Sequence, residues 1–108
     1  MSETNEGVGI QFTEAESRAL LTLHLEVVKH AGHEFLPWEA FWSAGEKLAC
    51  ISNGAVPPPF TAEETEYLFA ISVLLMNAAP EVYEVSAFKS ACSKVARLHA
   101  LFLQAKAA

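Results

Sequence analysis

His30 and His33 stand three residues apart, and Glu26 precedes His30 by one helical turn. On a helix Glu26 and His30 share a face. With His99 brought in from a second helix, one carboxylate and two imidazoles would supply the oxygen and nitrogen donors that hold a metal ion inside a helical bundle. The pattern is thin. A carboxylate-bridged di-iron centre needs Glu-x-x-His on two helices plus two further glutamates, and the chain contains no Glu-x-x-His. The competing reading needs no metal. In it His30 caps the C-terminal end of its helix, His33 is solvated in the following turn, and His99 is a hydrogen-bonded core residue.

Nucleophilic catalysis needs a serine or cysteine beside a base, with an oxyanion hole. Cys92 and His99 fall on one helical face, but about 10 Å apart along the axis, too far for direct proton transfer. Cys50 has Lys47 at helical spacing and no histidine. Both thiols read as buried and structural. There is no Gly-x-Ser-x-Gly, no phosphate-binding glycine loop and no dinucleotide fingerprint. Glu63 and Glu64 read as an exposed first helical turn that complements the helix dipole, not as an acid–base pair. The expectation is a protein that is not an enzyme and carries no cofactor.

These residues are positioned by helices. Thr13 and Glu16 form a capping box, so a first helix is expected over 14–31, stopped by Gly32. Pro37 suits the first turn of a second helix over 37–52, along which Trp38, Phe41, Trp42, Gly45, Leu48 and Ala49 recur at helical spacing. Gly45 on that stripe predicts the close approach of a neighbouring helix, at a cost of about 1 kcal/mol relative to alanine. Asn53-Gly54 ends the helix, and Pro57-Pro58-Pro59 stiffens the connector that follows. Thr61 and Glu64 repeat the capping box and open a third helix over 62–78. Past Glu66 that helix is apolar on nearly every side, which predicts a central element buried all round. A fourth helix, over 81–105, turns Val85, Phe88, Cys92, Val95, His99 and Phe102 inward. Its other side carries Ser90 and Ser93, with Lys89, Lys94 and Arg97 as a solvated basic cluster.

Four helices with short connections make an all-α chain, either a compact four-helix bundle or an orthogonal four-helix array. Residues 1–11 show no sustained period and read as a flexible leader before a single domain over 12–108. No self-similarity with a period of 20–50 residues is visible, which argues against a solenoid.

Composition narrows the partner. All 13 acidic residues are glutamate, and a net charge of −6 with only 7 basic residues disfavours direct binding to a nucleic-acid backbone. Residues 1–54 carry eight of the glutamates against Arg18, Lys29 and Lys47, a balance that suits a basic partner or serves solubility. Two distant cysteines without C-x-x-C fit a reduced, cytoplasmic chain. The polar N-terminus is no secretory signal, and the longest apolar run, Tyr67 to Met76, is roughly half a bilayer span, so no membrane partner is expected.

The chain is more apolar than one small core hides, with mean hydropathy +0.23. On the first helix Leu20, Leu23, Val27 and Ala31 form the main stripe, while Leu21, Leu25 and Val28 fall on another side. Phe35, Leu36, Trp38, Phe41 and Trp42 crowd the next turn, and tryptophan is the residue most enriched at binding hot spots. The leading expectation is a non-enzymatic, acidic helical interaction module, an adaptor or inhibitor. It would meet another protein or a second copy through Leu21, Leu25, Val28, Phe35 and Trp38, rimmed by Glu34 and Glu39. One form of it is an inhibitor of the phage or mobile-element type that masks a basic surface on its target. The alternative is a small metal- or ligand-binding bundle using Glu26, His30 and His99.

Overall fold

Both capping boxes form. The computed structural model describes residues 11–35 and 38–107, without the side chains of residues 31–35, 83 and 107. In it the Glu16 amide donates to the Thr13 hydroxyl at 3.1 Å, and the Thr13 amide donates to the Glu16 carboxylate at 2.8 Å. The same reciprocal bonds, at the same lengths, join Thr61 and Glu64. Each pair satisfies amides that a helix N-terminus leaves without an intrahelical partner.

From the first box runs α1, Glu14–Phe35, and from the second α3, Ala62–Ala78. Between them lies α2, Glu39–Ser52. It ends at Asn53, and Gly54 takes the left-handed conformation, φ 85°, that commonly closes a helix. A single turn, α4 (Pro80–Tyr83), then leads into α5, Ser86–Ala107. No strand occurs among the described residues, and the helices pack into one all-α bundle. The four long helices form a ring in which α1 touches α2 and α5, and α3 touches the same two, with α1 meeting α3 across the middle. The core is built from Leu20, Leu23 and Val27 of α1, Phe41 and Leu48 of α2, Tyr67, Leu68 and Ile71 of α3, and Val95 of α5.

Four expectations about these elements are corrected. Gly32 does not stop α1, which continues to Phe35. A mid-helix glycine costs only about 1 kcal/mol, too little to stop a helix that packs on its neighbours. The second helix starts at Glu39 with Trp38 as its N-cap, and Pro37 lies outside the described residues. The fourth helix is two, because the Val85 amide donates to the Val82 carbonyl in a tight four-residue turn that closes α4 before Ser86 begins α5. Helix α3 touches every other helix but is not buried all round: Leu74 and Met76 are exposed. The leader expected over 1–11 lies outside the described residues except Gln11.

The two half-chains repeat each other, which corrects the expectation of no internal repeat. Phe12-Thr13 with Glu16 returns as Phe60-Thr61 with Glu64. Ala40-Phe41-Trp42-Ser43-Ala44 with Lys47 returns as Ala87-Phe88-Lys89-Ser90-Ala91 with Lys94. The offset is roughly 48 residues, at the upper end of the spacings at which one supersecondary unit recurs. Most other matched positions share only apolar character, such as Leu20 with Leu68 and Val27 with Leu75, so the repeat is faint in one dimension.

In three dimensions the repeat appears as reciprocal contacts. Lys94 of α5 reaches the Glu16 carboxylate and the Gln11 carbonyl, both at 2.7 Å. Lys47 of α2 reaches the Glu64 carboxylate at 2.7 Å and the Pro59 carbonyl at 2.8 Å. Ser90 also donates to Glu16. The first helix of each half is held by the second helix of the other. Such exchange, in which one patch contacts a second and the second's counterpart contacts the first's, is the mark of a twofold relation. The bundle is therefore two helical hairpins about an approximate dyad. Glu64 and Lys94 are accordingly not the exposed or solvated groups that the sequence suggests. A capping-box glutamate bends back over the start of its helix, and here the other hairpin covers that end.

Candidate interaction surface

The seam between α1 and α2 is set by Gly45. A Cβ at that position would stand 2.6 Å from His24 Nε2, so the bare glycine admits the imidazole ring. His24 is buried, and a 2.7 Å hydrogen bond joins its Nδ1 to the Tyr67 hydroxyl. Phe41 packs on the imidazole with centroids 4.7 Å apart, and Trp38 and Phe41 both meet the Tyr67 ring edge to face. The close approach read from Gly45 is present. The residue that makes it, His24, was missed, although it falls on the Leu20–Val27 stripe at helical spacing.

Burial pushes the His24 pKa below its ordinary 6.5 and pushes the Tyr67 hydroxyl well above the usual range. Burial alone would raise the Glu16 and Glu64 carboxyls. Hydrogen bonds from Lys94, Ser90 and the Thr13 amide outweigh it at Glu16, and Lys47, Ser43 and the Thr61 amide do so at Glu64. Both carboxyls are held below 4.5. The His24, Glu16 and Glu64 shifts all act on stability in one direction. Below pH 6.5 the unfolded chain takes up a proton at His24 that the folded chain resists, so stability present above 6.5 is lost as pH falls toward the depressed folded value. Below 4.5 the two glutamates add a second loss of the same sign. Urea melts from about pH 8 to about pH 4 should show both declines. His24→Gln should remove the first and keep the second. Identical profiles for the variant and the natural protein would mean that His24 is not held neutral by the fold.

Leu25, Val28 and Trp42 are 56%, 42% and 52% exposed. Their placement follows from the seam. His24 of α1 faces Phe41 and Gly45 of α2, and the two helices form a hairpin of opposed directions. Leu25 follows His24, and Trp42 follows Phe41. One further residue turns each helix by about 100°, and on opposed helices those rotations bring both side chains out on the same side of the hairpin. Val28 lies one turn beyond on that side. Glu39 and Glu46, both exposed, flank Trp42 one turn before and after it.

Of the other residues expected in this surface, Leu21 and Trp38 are half-buried and pack against the core, and Glu39 is exposed. The side chains of Glu34 and Phe35 lie outside the described residues. The metal-ligating set is not assembled. Glu26 and His30 pair at 3.3 Å on an exposed face of α1, while His99 of α5 stacks on Phe69 of α3 at 4.3 Å. Among the described residues no three His, Cys, Asp or Glu side chains gather as a metal site would require. His30 lies inside α1 and caps nothing, because the helix runs past it. Cys92 is buried, its thiol pushed up by desolvation, but Cys50 is exposed, against expectation.

Fold and surface together define an all-α bundle of two matched hairpins, with an acid-flanked tryptophan on an apolar face. No family model matches the chain, and no match is found among curated proteins or solved structures. Among the described residues no helix is long and apolar enough to cross a membrane.

Proposed function

We propose that this protein is a non-enzymatic interaction module whose α1–α2 face binds a basic, partly apolar surface on another protein, as an adaptor or inhibitor does. One observation carries the reading. Trp42 stands more than half exposed between Glu39 and Glu46, and helical geometry turns it to the same side of the hairpin as the exposed Leu25 and Val28, while its neighbour Phe41 is fully buried. A large aromatic more than half exposed, on the same side as an exposed leucine and valine, gains free energy when its remaining surface is covered, at about 25 cal/mol per Å² of apolar surface. An arginine or lysine laid on the indole would gain a cation–π contact and two flanking carboxylates. Two copies of this face would bring acidic rims together, which favours a basic partner over self-association. The free thiols of Cys50 and Cys92 fit a reducing, cytoplasmic setting.

Native mass spectrometry and affinity capture with tag-free protein test this. Leu25→Glu should keep full helicity and melting temperature, because the position is exposed, and abolish capture of the partner. Trp42→Ala should weaken binding by at least about tenfold, as loss of a hot-spot residue does. A Leu25→Glu protein that unfolds, or that binds unchanged, would sink the reading. The Glu26, His30 and His99 alternative gains no support from the geometry.

A further inference from the structure

A cavity of about 270 Å³ opens where the two hairpins begin. Its walls come in pairs from the two halves, Phe12 with Phe60 and Ile51 with Leu98, so it lies on the approximate dyad. The remaining wall is Gln11 and the connector from Ala55 to Pro59, whose three proline rings fix the backbone and offer no N–H. Phe12 and Phe60 meet edge to face with centroids 5.6 Å apart, and both line the space.

Among the described residues no charged side chain lines the cavity. The lysines nearest its rim, Lys47 and Lys94, donate to the Pro59 and Gln11 carbonyls, but each ammonium is already matched by Glu64 or Glu16. A charged ligand would lose its water and find no counter-ion. An apolar cavity of about 150 Å³ is enough for benzene. The volume here is nearly twice that, which suits two fused rings. A wall stiffened by three prolines needs little further ordering when a ligand enters.

We propose that this dyad cavity binds a neutral, flat aromatic molecule of two fused rings, about nine or ten non-hydrogen atoms, packed against Phe12 and Phe60. The site shares no residue with the Leu25–Trp42 face, so the two readings stand or fall separately.

Indole is the probe, with indole-3-carboxylate as its charged counterpart, titrated into the isotope-labelled protein and followed by NMR. Indole should give saturable shifts centred on Phe12, Ile51, Val56, Phe60 and Leu98, with a Kd on the order of 10⁻⁴ M. The carboxylate should bind at least about tenfold more weakly. Ile51→Trp, which fills the space, should abolish the shifts. Val56→Asp changes a wall residue that is 91% exposed, leaves the fold alone, and should weaken indole by about tenfold. The proposal is overturned by absent or scattered shifts, by equal affinity for the carboxylate, or by unchanged affinity in the folded variants. It is also overturned if diluting the protein without indole moves the same resonances, since a second copy would then occupy the cavity.

Discussion

Lys47→Met should lower the unfolding free energy by about 3 kcal/mol at neutral pH. The Glu64 side chain is 4% exposed and that of Lys47 is 15% exposed, so the pair sits largely out of water. One oxygen of Glu64 accepts both the lysine at 2.7 Å and the Thr61 amide at 2.8 Å. Methionine keeps the length and the apolar stem and removes only the charge. The carboxylate is then left buried with amide and hydroxyl partners and no cation, the costly way to break a buried pair. Without the lysine the carboxyl loses its strongest lowering influence, and its folded pKa rises from the depressed natural position. The variant therefore has less stability to lose as the carboxyl is protonated, so the gap between Lys47→Met and the natural protein should narrow on acidification. Urea melts at two pH values measure this, and a cycle with Glu64→Gln isolates the pair. Lys94→Met should act the same way on Glu16 with a smaller loss, because that lysine is nearer to solvent. A loss below about 1 kcal/mol in Lys47→Met would show that the Glu64 carboxylate is solvated and that the clasp does not hold the halves together.

Gly45→Ala should destabilise the protein by about 2 kcal/mol, although alanine is the better helix former by about 1 kcal/mol. The added Cβ would stand 2.6 Å from His24 Nε2, inside any real contact distance. The imidazole has little room to yield, held by Tyr67 at Nδ1 and packed on Phe41. Either the helices separate or the 2.7 Å bond to Tyr67 breaks, and both costs exceed the helix-propensity gain. The check is a reversal of sign. In a His24→Ala background the obstruction is gone, and Gly45→Ala should then stabilise by up to about 1 kcal/mol. If Gly45→Ala stabilises the natural protein, the His24 ring moves aside freely and the seam is not set by glycine.

The helix starts were legible because each has a local cause. Thr13 with Glu16 and Thr61 with Glu64 need only neighbours in the chain, so both boxes form where the sequence places them. The stripe Leu20, Leu23, Val27 is buried, and Leu25 and Val28 are exposed, because the helical period alone decides which residues share a side. The candidate surface was half legible for the same reason. Leu25, Val28 and Glu39 lie where periodicity puts them, while Trp42, counted with the core stripe of its helix, stands at the edge of that stripe and emerges.

Polar residues were misplaced wherever their partner lies far along the chain. His24 is answered by Tyr67, Glu16 by Lys94 and Glu64 by Lys47. A buried charge is tolerable only beside its counter-ion, and nothing local announces that the counter-ion will arrive. The sequence by itself determined an all-α chain, its helix-starting boxes and the apolar faces that must be covered, since propensity, capping and periodicity act over a few residues. Only the tertiary structure decided that the two halves clasp each other across a dyad, that His24 enters the core at Gly45, and that Trp42 stays about half exposed. Those outcomes depend on which surfaces meet, and surfaces meet only after the local elements exist.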